Sequence, residues 1–371
     1  MHVMTATSKE KDIDALIEDF QSQFGSFKPS LLFVFASSSY NPSSLAEALD
    51  QAFPAALSLG CSTSGELSSG KMEKDSVVAM GFDSAVISNA KAVVLKNINK
   101  ITTEELKPAF DLFSSHFSED FSQMTMDKYL GLVLVDGLSQ SEEKLMDCIG
   151  NISNLMFVGG SAGDDLKFQK THVFAHGKAY TNAAVLLLVK PAKGFDLLKT
   201  QSFASSDKCL VATKVNETSR EVLEFNNQPA SLAYAQALDI PESEAAEHFM
   251  DHPVGLIIDD EPYVRSPQQI REQSMVFYCQ VKEGMELHIL DGKDIVSDTK
   301  KALEEKIAER GETPQAIINF NCILRTLELE KTGQTQAYAD LFKDIPTVGF
   351  STYGEQYIGH INQTATMVLF Y

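Results

Sequence analysis

Two short stretches carry the same set of groups able to contact a ligand. Residues 60–66 read GCSTSGE and residues 349–355 read GFSTYGE, so G-x-S-T-x-G-E occurs twice, 289 positions apart. A strand that stops on glycine and turns through Ser-Thr presents backbone N–H groups and hydroxyls at the carboxyl end of its sheet. In open α/β sheets that end is where ligands sit. Gly60, Gly65, Gly349 and Gly354 permit close backbone approach or positive φ. Glu66 and Glu355 are suited either to bind a ligand cation or to tie the loop to neighbouring N–H groups. Ser351, Tyr353 and Glu355 are therefore candidate ligand contacts, set against the plain alternative that both turns serve only the fold.

Other reactive residues form weaker patterns. GGSAG (159–163) matches the G-x-S-x-G nucleophile elbow, but an elbow feeds directly into a helix, whereas DDLKFQKTHVF reads as loop then strand. A hydrolase using Ser161 or Cys61 is thus an alternative function, without a His–Asp partner pattern to support it. His172 and His176 are four apart in an expected strand, about 13 Å, too far to share an ion. His248 and His252 have the same spacing near an expected helix end, but Pro253 follows at once and no third ligand is evident. Arginine is scarce, 5 against 26 lysines. Arg265 (YVRSP) and Arg325 (CILR) sit at expected strand ends, where a planar guanidinium suits a carboxylate as well as a structural salt bridge.

The elements that must position these groups repeat. SLLFVFAS (30–37), a helix over 41–53 and a strand ending at Gly60 make one β-α-β unit. The same grammar returns in YLGLVLVDG (129–137), a helix over 139–152 and LMFVGGSAGDD (155–165). It returns again in AIINFNCILR (316–325), a helix around 327–343 and IPTVGFSTYGE (345–355). Every second strand ends in G-x-S: Gly60-Ser62, Gly159-Ser161 and Gly349-Ser351. The apolar runs are continuous, as expected for strands covered on both faces. Between the units, 77–84, 92–96, 172–176, 183–190 and 275–281 read as strands, several linked as hairpins. Helices are expected over 9–24, from 226–238 and over 297–311. The fold class is α/β, two domains with mixed sheets built from repeated β-α-β units plus hairpins. The expected divisions are an N-terminal helix (1–27), a first domain (28–220) and a second (221–371).

Composition bounds the function. A chain of 371 residues exceeds one ordinary core, and its 44% apolar content is that of a globular protein. A net charge of −20, spread along the chain, argues against nucleic acid and against an anionic membrane surface. No basic-then-apolar leader opens the chain, and the longest strongly apolar run, 183–189, is too short to span a bilayer. Five cysteines, far apart and without a CxxC, fit a reducing compartment. A cytoplasmic protein is expected.

GCSTSGE, GGSAGD, NNQPASLAY, HPVGL, YVRSP, FNCILR and GFSTYGEQYIGHINQTATMVLF, in this order, resemble paired FIST domains, amino-terminal and carboxy-terminal, from about residue 30 to the end. The resemblance implies an intracellular sensory module for small ligands, not an enzyme, that acts on a signalling protein. The stand-alone layout is similar to the bacterial nitric-oxide-sensing subset, which implies haem and a partner histidine kinase or cyclic-nucleotide signalling enzyme in trans. On that reading His360, in an expected strand over YIGHINQTATMVLF, is the candidate iron ligand, ahead of His252 and His176. Arg265 and Arg325 would hold propionates, with Ser351, Tyr353 and Glu355 nearby. The alternative is a non-haem sensor of an amino acid or related metabolite, with Arg265 or Arg325 on its carboxylate.

Overall fold

The computed structural model of the protein describes residues 2–357 and 359–371. Met1, in the expected N-terminal segment, and Ile358, in the expected strand around His360, lie outside the described residues. All three expected repeats form. The first is Leu31–Ser37, helix Pro42–Ala52 and Leu57–Thr63; the second is Leu130–Val135, helix Glu142–Gly150 and Phe157–Ser161. The third is Ala316–Cys322, helices Ile323–Lys331 and Thr335–Asp340, and Thr347–Thr352. The two strands of each repeat are parallel neighbours. The single helix expected near 327–343 is broken in two because Gly333 turns the chain at φ +69°.

Continuous apolar strands are buried twice over, as expected, and alternation shows how. Leu31, Phe33 and Phe35 enter one core together with Leu130, Leu132, Leu134, Ile318, Phe320, Val348 and Phe350. Phe35 lies 4.7 Å from Phe350 and 6.4 Å from Phe320, centroid to centroid. The intervening Leu32, Val34 and Ala36 pack with residues of helices Ile13–Phe24 and Pro42–Ala52. Val133 and Val135 pack with residues of helices Thr103–Phe117 and Glu142–Gly150. Three sheets thus share one inner core. Each fully buried Leu or Phe contributes about 2 kcal/mol of transfer free energy to holding them together.

The strand that follows each G-x-S turn joins another repeat's sheet. Glu66–Ser68 pairs with the third repeat's Thr347–Thr352, and Glu355–Tyr357 pairs with the second repeat's Phe157–Ser161. Val173–Ala175 pairs with the first repeat's Leu57–Thr63, closing the cycle.

The chain divides into two compact units, and their limits are not a linear cut near 220. Residues 1–199, 302–359 and 365–371 form one; 200–301 and 360–364 form the other. The third repeat folds with the first two, since its inner-face Phe320 and Phe350 complete their core. The other unit is built on an eight-stranded antiparallel sheet, from Glu261–Arg265 at one edge to Pro267–Arg271 at the other. Helix Ala230–Leu238 packs on it through Ala230, Ala233 and Tyr234.

Local expectations needed correction in several places. Strand Val3–Ser8, too short and too polar to stand out, pairs with Val77–Phe82. The strand expected over 275–281 ends at Phe277. The strand expected through His360 is two, Gly359–Ile361 and Thr364–Phe370, parted where Gln363 takes a φ of 50°.

The three motif glycines share one reason to be glycine. Each lies beside the backbone of its parallel neighbour, so an added Cβ would fall 1.7 Å from the Val34 oxygen at Gly60, 1.8 Å from the Val133 oxygen at Gly159 and 2.0 Å from the Asn319 oxygen at Gly349. Backbone, not a flexible side chain, is in the way. Gly60→Ala, Gly159→Ala or Gly349→Ala is expected to cost about 3 kcal/mol or more in a urea titration. Gly150→Ala, with open space at its Cβ, is expected to be neutral or mildly stabilising. Equal stability of all four variants would sink this account.

Candidate functional site

The three G-x-S turns interlock through their backbones. Ser62 O accepts from Gly163 N (3.0 Å), Ser161 O accepts from Tyr353 N (3.1 Å), and Ser351 O accepts from Ser64 N (3.2 Å). In return Ser161 N donates to Gly354 O and Ser351 N to Gly65 O, both at 2.8 Å. The sister donor, Ser62 N, binds His172 O instead (2.9 Å). Turns that would leave orphaned polar groups under the sheets satisfy each other in a ring. Gly65, at φ +127°, is where that ring needs a residue without a side chain.

The two glutamates of the motif tie their own loops. Thr63 donates to Glu66 and Thr352 to Glu355. Glu66 also accepts from the backbone N–H (3.1 Å) and hydroxyl (2.6 Å) of Ser76. Both carboxyls are buried, 2% and 0% exposed. Desolvation pushes the Glu66 carboxyl up to about 7, outweighing the hydrogen bonds that favour its charged form.

The second repeat departs from this pattern, and there a crevice opens. Val173 stands opposite Cys61 as Glu66 stands opposite Phe350 and Glu355 opposite Gly160. Fourteen positions separate Gly159 from Val173, against six from Gly60 to Glu66, so the link carries eight extra residues (14 − 6). Buried Asp164 organises this strap by accepting from the N–H groups of Phe168, Gln169 and Lys170 at 2.6–2.9 Å and from the Tyr353 hydroxyl at 2.5 Å. The Tyr353 hydroxyl in turn accepts from Leu166 N at 3.0 Å. Asp165 accepts from the hydroxyls of Ser37 and Ser38.

Between strap and first repeat lies a crevice of about 280 Å³, at the carboxyl ends of Leu31–Ser37 and Leu57–Thr63. Its apolar wall includes Leu45 and Phe174; its polar wall includes Ser37, Ser38, Ser62, Lys167, Lys170, His172 and the carboxylate of Asp164, which the strap's own N–H groups already engage. The Lys167 amine donates to Ser38 Oγ (2.9 Å) and lies 3.8 Å from Asp165. The Lys170 amine has no partner among the described residues. Burial, with the Lys170 charge second, holds the His172 imidazole below its ordinary range, so that it is neutral near pH 7. The serine hydroxyls already donate to Asp165 and Gly163 O, so the lysine amines beside the apolar wall are the donors suited to a small anion with an organic body.

Family comparison accounts for the same architecture. Residues 30–228 match the FIST N domain and residues 230–358 the FIST C domain. The chain belongs to the FIST family. FIST domains are small-ligand-sensing domains of signal transduction. The chain is also 25% identical over 280 residues to the uncharacterized protein MJ1623 of Methanocaldococcus jannaschii. That match covers 70% of this chain and spans about half, 53%, of the relative. The junction of the two FIST models falls between 228 and 230, inside the antiparallel unit: FIST N supplies its strands Phe203–Asn216 and Glu221–Phe225, and FIST C supplies most of the rest together with the third repeat.

The residues singled out from sequence occupy different places in this FIST fold. Ser351, Tyr353 and Glu355 belong to the ring, and Tyr353 also holds the strap. Arg325 is 1% exposed; its Nε donates to Asn321 (3.0 Å), which reaches Ser351 through Thr326. Arg265 and His360 belong to the antiparallel unit. Ser161, 0% exposed, contacts Glu142 and Gln356 rather than a histidine, and burial pushes the Cys61 thiol up, so neither is prepared as a nucleophile. His176 stands in a turn at φ 53°, beyond the end of the strand that carries Val173. His252 bonds Asp291 at 3.1 Å, and no group of three or more His, Cys, Asp or Glu suited to a metal occurs among the described residues. No helix among the described residues is long and apolar enough to cross a membrane.

His360 does not fit haem as the fold stands. His360, Ile361, Asn362, Gln363 and Thr364 are each 4% exposed or less, three of the five are polar and uncharged, and Gln363 is clamped to Ser266 and Met250. A macrocycle would have to open this segment to reach the imidazole, and would meet amides and a hydroxyl rather than an apolar slot. Sequence reasoning did not single out Lys167 and Lys170, and weighed His172 only as a partner of His176 for a metal, although the extra length of the second link was visible.

The raised Glu66 sets a pH test. Its stabilising contribution is complete below the ordinary carboxylate pKa and is lost as pH rises from about 4 through 7. Glu66→Gln is therefore expected to gain stability relative to wild type between pH 5 and pH 8, by at most about 3 kcal/mol. Parallel melting curves of the two proteins across that range would show Glu66 to be unperturbed.

Proposed function

We propose that this FIST protein senses a small organic anion bound in the crevice beneath the strap and passes the signal to a separate protein. The unpartnered amine of Lys170, facing a crevice with three serines and an apolar wall in a chain of net charge −20, is the observation that supports this reading. Lys170 supplies the charge and Leu45 and Phe174 the contact for the ligand's body, while Ser37, Ser38 and Ser62 line the wall with their protons already given to Asp165 and Gly163 O. An amino acid or related metabolite has the right chemistry, held here by lysine rather than by Arg265 or Arg325. The protein binds rather than transforms its ligand. Its output partner, as the family likeness suggests, is a signalling enzyme such as a histidine kinase or a cyclic-nucleotide enzyme.

Binding of an anion shifts the strap because Lys167 is shared. Engaging the ligand draws its amine from Ser38, one of the contacts that pin the strap to the first repeat, and from its strap neighbour Asp165. A sensor requires such a differential contact between two states.

Calorimetric titration with a panel of amino acids, dicarboxylates and inorganic phosphate is expected to identify a binder whose affinity falls about tenfold in Lys170→Ala. An anion beside His172 raises the imidazole's low pKa, against Lys170 and with Asp136, so binding takes up a proton and weakens as pH rises. Affinity that is independent of both Lys170 and pH would overturn the crevice assignment. Hemin tests the haem reading in the same preparation. A stoichiometric Soret band lost in His360→Ala would replace the anion with haem; the closed His360 segment leads us to expect only free-hemin absorbance.

A further inference from the structure

The strap exposes an apolar knob, and the other end of the first repeat carries a hollow. Leu166 and Phe168 are 38% and 51% exposed, two of the few large apolar side chains left in solvent among the described residues. Both sit in the left-handed region, at φ 60° and 51°, where bulky residues are rare. Asp164 and Tyr353 hold them there, and the Phe168 ring stacks on Tyr353 at 5.1 Å and 20° instead of turning inward. Strain maintained to keep an aromatic ring in water calls for an occupant.

The hollow, about 410 Å³, lies between the carboxyl ends of helices Ile13–Phe24 and Pro42–Ala52. Phe24, Phe27, Phe53, Pro29 and Pro54 line it. Neither helix has a basic residue in its last turn, so the partial negative charge of two helix ends faces the hollow, with Lys28 the one lysine on its rim. Phe168 is flanked by Lys167 and Lys170. The charges of knob and hollow are complementary.

We propose that copies of this chain associate head to tail, the Phe168 knob of one seated in the Phe24–Phe53 hollow of the next, with Lys167 and Lys170 over the helix ends. Pro29 and Ala56 precede the strands Leu31–Ser37 and Leu57–Thr63, whereas the strap contacts Ser37 and Ser38 at their far ends. Knob and hollow are thus at opposite ends of the same strands, and a copy cannot fill its own hollow. The contact is heterologous and builds a ring or an open chain. Lys167 and Lys170 cannot serve both contacts at once, so head-to-tail association competes with anion binding in the crevice.

Sedimentation velocity of the full chain across a concentration series tests it, with Phe168→Asp and Ala55→Arg as variants at exposed positions whose melting curves report folding. Wild type is expected to grow in mass with concentration, and each variant to weaken association about tenfold or more. An equimolar mixture is expected to stop at a dimer, because the intact knob of the Ala55→Arg chain fits the intact hollow of the Phe168→Asp chain. A wild type monomeric at all concentrations would overturn the proposal. So would an Ala55→Arg protein that associates normally, which would show knobs meeting knobs.

Discussion

The backbone contact between parallel strands at Gly60, Gly159 and Gly349 is the constraint on which the rest depends. A carbonyl of the neighbouring strand occupies the space where a side chain would begin. Three strands can then end at the same depth and turn toward one another. Their turns satisfy each other's N–H and C=O groups in a ring, and the strand after each turn continues into a sheet belonging to another repeat. The shared apolar core follows, because sheets exchanging strands in a cycle must face a common interior.

Such a ring has a cost, and its distribution explains where binding chemistry is found. The first and third links are short and closed, with carboxyls buried against their own threonines. There burial raises the Glu66 carboxyl to about 7, and its oxygens are taken by Thr63 and Ser76. The second link is long, reaches its partner strand through eight extra residues, and substitutes the carbonyl of His172 for the missing ring acceptor. Lysines, a neutral histidine and an exposed aromatic ring all reside on or beside this one irregular link. The crevice opens where the repeat is broken.

Much of this was legible in the sequence. The three β-α-β repeats, the two-faced burial of their strands and the equivalence of the G-x-S ends came from apolar runs and spacing, and all took shape. The ring did not, because its bonds join residues more than a hundred positions apart, with no local signature. Tyr353 stood out from sequence as a candidate ligand contact; that its hydroxyl also bonds Asp164 and Leu166 is a partnership no spacing reveals. Lys167 and Lys170 looked like two lysines in a loop. Strand Val3–Ser8 was invisible since pairing with Val77–Phe82, rather than its own pattern, makes it a strand.

The sequence by itself determined the class of the protein: α/β repeats, an acidic globular chain, glycine at each strand end, and membership of a sensory family. Those properties reside in composition, periodicity and motif order, which are local or additive. Tertiary structure alone decided that the third repeat folds with the first two across an intervening antiparallel unit. It also decided which groups the buried glutamates bond and which lysines line an open crevice. The physical reason is that burial and partner availability are set by elements distant in the chain. A carboxylate near strand ends reads the same in sequence whether water or Ser76 lies beside it.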